Sequence, residues 1–148
     1  MGIEENKEVV RQYIEEVLNN LDYTHAEELM HEEFFGEGGK IQGIEAHKKN
    51  FTAQREKLPD IRNDLLEMIA EGDKVVAVSV VSGTDVGGYF GSLPTNKKME
   101  GKVIAIYTLK DGKIAKGDIT YNLLTTYQQI GILPSTEEII QVYNDSLG

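Results

Sequence analysis

The first part of the chain has the apolar spacing of amphipathic helices. Apolar side chains between residues 4 and 20 recur at three- and four-residue steps, which predicts a helix. A second, short helix is predicted from Thr24, because Thr24 and Glu27 have the spacing of a capping box. Residues 34–43 contain four glycines and are predicted as a loop. A third helix is predicted over residues 44–58, ending before Pro59.

From residue 60 the apolar period changes to two. Four segments rich in Val, Ile and Tyr are predicted strands: 61–69, 74–83, 97–109 and 113–122. Helical spacing returns over residues 123–130, and Ser135 with Glu138 forms a second capping box before a last helix. Helices followed by strands predict an α+β fold, in which a curved antiparallel sheet wraps around the N-terminal helices. With no repeat or linker in the sequence, residues 1–148 are predicted to form one domain.

Charge and cysteine content exclude several classes of function. The 148 residues include 25 acidic and 15 basic ones, for a formal net charge of -10. We therefore expect neither nucleic acid nor an anionic membrane surface as a partner. The absence of cysteine excludes disulfides, thiolate zinc sites and a cysteine nucleophile, and favours a cytoplasmic location. The three histidines lack metal-ligand spacing, so no metal site is expected.

Three stretches of sequence occur in the order and spacing of a known family. They are NKEVVRQY at residues 6–13, GGYFGSLPTNK at 87–97, and DGKI at 111–114 followed by QQIGILP at 128–134. The middle stretch is similar to a G-x-F-x-G-x-P-P-T-G-K loop, with Tyr89, Leu93 and Asn96 as its departures. Together the stretches resemble the SnoaL-like polyketide cyclases, or ester cyclases, of the nuclear-transport-factor-two-like superfamily. The predicted helix after Ser135 lies beyond the resemblance.

The resemblance implies a cone-shaped α+β fold around an apolar pocket, and a homodimer formed through the sheet. It implies intramolecular aldol ring closure in a polyketide ester, without a cofactor or a metal. Such a reaction needs a base that removes the proton next to a carbonyl, and a group that stabilises the enolate. Family members use an Asp on the strand after D-G-K-I and a His on the preceding strand.

The family's two catalytic positions fall on apolar residues in this sequence. Counted between the D-G-K and Q-Q motifs, the Asp position is Ile119 and the His position is Ala105. Neither side chain can transfer a proton. A one-residue bulge at Gly117 would bring Asp118 into the Asp position, which makes Asp118 a candidate acid/base residue. An exposed carboxylate beside a lysine is the alternative for Asp118.

His47 is the second candidate catalytic residue. It lies in the apolar stripe of the third helix, and an imidazole titrates near neutral pH. The alternative is a core histidine with a backbone partner. Tyrosines in the cone would stabilise an oxyanion or satisfy the core. The side chains expected to line the pocket are Tyr13, Val17, Asn50, Phe51, Phe90, Ala105, Tyr107, Ile119 and Tyr121.

Two functions remain open on the sequence alone. One is a polyketide cyclase with altered acid/base groups, and the other is a binding protein that holds a small apolar molecule on the same scaffold without turnover. Ala105 and Ile119 favour the binding protein, whereas the resemblance favours the enzyme. Both hypotheses require an apolar cavity of ligand size.

Overall fold

The fold combines five α-helices with one sheet. The computed structural model describes residues 2–148, apart from the side chain of Glu37. The first helix, α1, continues from its regular part into wider π-helical turns over Tyr13–Asn19. None of the described helices is long and apolar enough to cross a membrane. The helices are α1 (Ile3–Gln12), α2 (Ala26–Leu29), α3 (Gly43–Lys57), α4 (Leu123–Gln129) and α5 (Thr136–Leu147).

The sheet has six strands and confirms the predicted α+β class. Its spatial order is β2-β1-β6-β5-β4-β3. Four of the five strand pairings in the described chain are antiparallel, as predicted, but β1 runs parallel to β6, so the sheet is mixed. The strands are β1 (Met30–Gly36), β2 (Ile41–Gln42), β3 (Arg62–Glu71), β4 (Lys74–Thr84), β5 (Lys98–Lys110) and β6 (Lys113–Tyr121).

Two local predictions for the N-terminal half were wrong. The loop predicted over residues 34–43 instead contains the end of β1 and all of β2. Phe34 and Ile41 are buried in the core, and their packing holds the glycine-rich segment against the sheet. The capping box at Thr24 does not form: α2 begins after His25, and the Asp22 carboxylate accepts the Thr24 N–H at 3.0 Å. The cap at Ser135 does form, since its hydroxyl accepts the Glu138 N–H at 3.2 Å.

Strand register divides the sheet into a buried face and an outer face. Ala77 pairs with Ala105, which pairs with Ile119, and directly paired residues share a face. This face packs against α1 and its π-helical turns, and the core includes Val10 and Tyr13. On the other face Ile69, Val76 and Ile106 align in one row, and Ile69 and Ile106 are exposed. Alternation along the strands therefore gives the outer face of the sheet an apolar row, in addition to the apolar core on the buried face.

Asp85 holds the loop between β4 and β5. Its side chain is fully buried, and its carboxylate accepts the N–H of Tyr89 at 2.9 Å, the N–H of Thr95 at 3.1 Å and the Thr95 hydroxyl at 3.0 Å. Burial raises the pKa of Asp85, but these hydrogen bonds outweigh it, so the pKa lies below its usual value. Gly88 has φ 69°, and a Cβ there would lie 2.2 Å from the Ser92 carbonyl oxygen, so the turn requires glycine.

Helix α4 is attached to the start of β5 by one glutamine. The Gln129 Oε1 accepts the Glu100 N–H at 2.9 Å, and its Nε2 donates to the Glu100 carbonyl at 2.9 Å. β6 ends at Tyr121, which pairs with Val103, so this contact lies beyond the last pairing between β5 and β6. The side-chain amide therefore places α4 across the end of the sheet.

We expect Asp85→Ala to lower the free energy of unfolding by about 2–4 kcal/mol, because it leaves buried backbone N–H groups without an acceptor. Urea denaturation measures this loss. Asp60→Ala is the matched control, since the exposed Asp60 carboxylate accepts the N–H and hydroxyl of Thr84 at 2.8 and 2.7 Å where water can replace it. Equal losses in the two variants would contradict the role given to Asp85.

Candidate functional site

A cavity of about 460 Å³ lies between the buried face of the sheet, α1, the end of α3 and the Asp85 loop. Two of its lining residues, Ile119 and Tyr121, are nearly half exposed. Six aromatic residues line the cavity: Tyr13, Phe51, Tyr89, Phe90, Tyr107 and Tyr121. This volume and composition are typical of sites for small organic molecules.

The space arises from small side chains at the centre of the sheet. Ala77 and Ala105 pair across β4 and β5 and both line the cavity. Larger residues flank them on the same face, such as Tyr107 two positions along β5. A pair of methyl groups among large neighbours leaves a hollow that the helices cover but do not fill.

Seven of the nine predicted pocket residues line this cavity: Tyr13, Phe51, Phe90, Ala105, Tyr107, Ile119 and Tyr121. Val17 and Asn50 are not in its wall. Val17 is fully buried in the core, one turn after Tyr13. Asn50 is exposed on α3, because the inward face of that helix runs through His47, Phe51 and Gln54.

Asp118 lies on the face of the sheet opposite the cavity. The bulge between β5 and β6 falls at Ala115 and not at Gly117, because Thr108 pairs with Lys116 and Leu109 with Ile114. The register then runs without interruption to Tyr121, which turns Ile119 inward and Asp118 outward. Asp118 is exposed and forms an ion pair of 3.2 Å with Lys116 Nζ. The predicted bulge at Gly117, which would have turned Asp118 into the cavity, is therefore absent.

Gly117 has a packing role instead. It pairs directly with Tyr107, and a Cβ at Gly117 would lie 3.3 Å from the Tyr107 ring. The missing side chain lets the Tyr107 ring lie across β6. Glycine at this position therefore positions one aromatic wall of the cavity.

His47 is fully buried directly behind the cavity wall and does not line the cavity. Its Nε2 lies 2.7 Å from the Tyr13 hydroxyl, and its Nδ1 lies 2.7 Å from the Tyr23 hydroxyl. The imidazole stacks on Phe51 at 4.3 Å between ring centroids. Burial lowers the pKa of His47 to about 4, so the ring is neutral at pH 7. It is a core histidine whose two partners are tyrosine hydroxyls and not the backbone.

The polar groups of the cavity wall are mostly hydroxyls. Burial raises the pKa of Tyr13 and of Tyr107, and neighbouring tyrosines raise that of Tyr13 further. The Tyr107 hydroxyl has no hydrogen-bond partner among the described residues. Within residues 2–148, no Asp or His lines the cavity, and its ionisable residues other than tyrosine are the exposed Glu100 and Lys102. No three His, Cys, Asp or Glu among these residues are placed to hold a metal ion.

Sequence reasoning missed several polar residues of this region. Tyr23 bonds His47, Tyr89 accepts a hydrogen bond from Gln54 at 3.2 Å, and Ser79 lines the cavity. The period-two pattern would have found Ser79, since it alternates in phase with Val75 and Ala77. No local signal identifies Tyr23, which reaches His47 only through the tertiary fold.

A family model for SnoaL-like polyketide cyclases matches residues 8–130. The chain belongs to this family. The matched range contains the whole sheet and ends before α5, which confirms the resemblance seen in the sequence. Comparison with curated proteins finds no match.

Solved structures of this SnoaL-like protein's relatives share its fold. TsrD from Streptomyces laurentii is 23% identical, has a TM-score of 0.80, and the match covers 90% of this chain and 99% of that one. A SnoaL-like polyketide cyclase from Agrobacterium tumefaciens is 14% identical, with a TM-score of 0.76 and coverage of 88% and 100%. At these identities the likeness shows a common fold.

The stability of the protein should fall as the pH drops below about 6.5, because His47 takes up a proton in the unfolded chain long before it does in the folded one. A pKa of about 4 in the folded protein, against 6.5 for a free imidazole, gives a loss of about 1.5 kcal/mol between pH 6.5 and pH 5. We expect His47→Gln to remove this part of the pH dependence in urea denaturation.

His25→Gln is the matched control for this measurement. A hydrogen bond and the charge of Glu16 raise the pKa of the exposed His25, so its protonation favours the folded state. The His25→Gln variant should therefore still lose stability as the pH drops from 6.5 to 5. An unchanged pH profile in His47→Gln would contradict a buried neutral imidazole.

Proposed function

We propose that this SnoaL-like protein binds a small, largely apolar molecule with flat rings inside its cavity. The observation that supports this most directly is the cavity of about 460 Å³, which is lined by six aromatic side chains. Offset and edge-on contacts with aromatic side chains favour planar ring systems. The tyrosine hydroxyls would orient the molecule by hydrogen bonds to its oxygen atoms.

Binding without turnover is the function that the cavity favours. Aldol ring closure needs a base for the proton next to the carbonyl. The wall carries Ala105 and Ile119 at the family's His and Asp positions, and neither Asp118 nor His47 reaches the cavity. The ionisable lining residues Glu100 and Lys102 are exposed and alternate in phase with the outward-facing Ile104. Buried tyrosines whose pKa is raised are poor bases at neutral pH.

A cofactor-independent cyclase or isomerase is the second candidate. It is favoured by the family and by the contact between Tyr13 and His47, since a tyrosine hydroxyl can stabilise an enolate. An aromatic compound with a ketone and a methyl ester on neighbouring side chains would test for ring closure by mass spectrometry. Loss of product in Tyr13→Phe, with product retained in Asp118→Asn, would favour this enzyme over the binding protein.

We also propose that the protein acts in the cytoplasm as a homodimer. Its outer sheet face carries a patch of apolar residues: Ile69, Val76, Val78, Ile104 and Ile106. An exposed apolar row on the centre of a sheet is a common place for subunits to meet. The acidic charge and the lack of cysteine are consistent with the cytoplasmic location.

Filling the cavity should abolish binding. We expect Ala105→Phe to weaken binding of 2-acetylnaphthalene at least tenfold, because the added ring occupies the hollow above the sheet. Isothermal titration calorimetry measures the affinity. Ala53→Phe makes the same change on the exposed side of α3 and should leave the affinity unchanged. Equal affinity in Ala105→Phe and the unmodified protein would contradict this site, as would a lack of binding in the unmodified protein.

A charge on the outer sheet face should dissociate the dimer. Val76→Lys places an ammonium group between its directly paired apolar neighbours Ile69 and Ile106, in the middle of the proposed interface, where its burial costs several kcal/mol. Sedimentation velocity should therefore show a dimer for the unmodified protein and a monomer for the variant. Ile140→Lys on the exposed side of α5 is the control and should remain dimeric. A monomer before any substitution would refute the proposed assembly.

A further inference from the structure

Three residues form a continuous hydrogen-bonded row from the cavity wall toward the surface. Tyr13 lines the cavity, His47 lies behind it, and Tyr23 beyond His47 is only partly buried. Both links are 2.7 Å long, from the Tyr13 hydroxyl to Nε2 and from the Tyr23 hydroxyl to Nδ1. Short, paired contacts at both ring nitrogens fix the position of the imidazole.

A neutral imidazole has one N–H donor and one acceptor nitrogen. His47 therefore donates to one of the two tyrosines and accepts from the other. If the proton is on Nε2, His47 donates to Tyr13 and Tyr23 donates to Nδ1. If the proton is on Nδ1, Tyr13 donates to Nε2 and Tyr23 accepts.

The two arrangements offer a ligand opposite chemistry at Tyr13. With the proton on Nε2, the Tyr13 oxygen already accepts a hydrogen bond, and its own proton is available to the cavity. With the proton on Nδ1, Tyr13 donates its hydroxyl proton to Nε2 of His47. The Tyr13 oxygen can then only accept a hydrogen bond from a ligand in the cavity. The tautomer of a histidine outside the cavity thus decides whether the wall donates or accepts.

We propose that His47 is a positioning residue that holds its proton on Nε2 when a carbonyl compound is bound, so that Tyr13 donates to the carbonyl oxygen. This inference rests on the proposed binding function and narrows its ligand class to molecules with a carbonyl or a developing oxyanion. Every donor in the row then has an acceptor: Tyr23 meets Nδ1, Nε2–H meets Tyr13, and Tyr13 meets the ligand. Hydrogen bonds aligned in one direction strengthen one another.

The surroundings of His47 support a neutral ring in this role. The rings of Phe34 and Phe51 pack on the imidazole at centroid distances of 5.4 and 4.3 Å. Lys48 Nζ lies over the Tyr23 ring, 5.7 Å from its centroid, at the outer end of the row. Since Tyr23 is partly exposed, water can satisfy its oxygen while its proton is directed to Nδ1.

The first test is the tautomer itself. The ¹⁵N chemical shifts of His47 distinguish a protonated Nε2 from a protonated Nδ1 in protein labelled with ¹⁵N-histidine. We expect the Nε2–H form in the complex with 2-acetylnaphthalene. An Nδ1–H signal from His47 with the ketone bound would overturn the inference and leave the proposed binding function intact.

The second test is the carbonyl bond of the bound ketone. A hydrogen bond from Tyr13 should lower its infrared stretching frequency, and Tyr13→Phe should abolish that shift and weaken ketone binding about five- to tenfold. Tyr23→Phe, which removes the donor to Nδ1, should reduce the shift and weaken ketone binding about threefold. Tyr143→Phe on α5 is the control with the same atom removed at an exposed site.

A matched hydrocarbon separates positioning from structural damage. 2-Ethylnaphthalene has nearly the shape of the ketone but no acceptor, so the tyrosine variants should bind it as the unmodified protein does. Parallel losses for ketone and hydrocarbon would overturn the positioning role. So would a carbonyl shift that survives in Tyr13→Phe and disappears in Tyr107→Phe. If the unmodified protein binds neither probe, the proposed function fails and this inference fails with it.

Discussion

The register of β4, β5 and β6 is the constraint on which the rest of the structure depends. Side chains alternate between the two faces, so a shift of one residue would exchange the cavity face with the outer face. In the observed register the Ala77–Ala105 pair faces the helices and the row through Ile106 faces outward. The single bulge between β5 and β6, at Ala115, lies before the cavity begins, so it bends the strand without turning Asp118 inward.

The cavity and the hydrogen-bonded row behind it have different physical origins. The cavity results from small side chains that leave space, whereas the row results from polar groups that must be satisfied once they are buried. His47 achieves this with two tyrosines that belong to different segments of the chain. The same imidazole therefore joins α3 to the first helix and fixes Tyr13 in the cavity wall.

The spacing of apolar residues along the sequence predicted much of the fold, but it predicted only part of the cavity and its surroundings. Period-two spacing identified the strands β3 to β6, and helical spacing identified α1, α3 and α5. The spacing of apolar residues did not identify β1 and β2, because the glycines around residue 38 indicate a loop. The burial of Phe34 and Ile41 decides the structure there instead. Strand alternation identified the wall residues Tyr107 and Tyr121, and helical spacing identified Tyr13 and Phe51. The partnership of His47 with Tyr23, 24 positions apart, depends on packing that no local pattern contains.

The contact between Gln129 and Glu100 also protects the strand to which it is attached. β5 continues toward Lys98 beyond the last pairing with β6, so one of its edges would expose free backbone donors and acceptors there. The side-chain amide of Gln129 satisfies one N–H and one C=O at once, just as an additional strand would. An extended segment of another chain that reached this edge would have to displace α4 first, which makes β5 a poor template for open-ended β-sheet association.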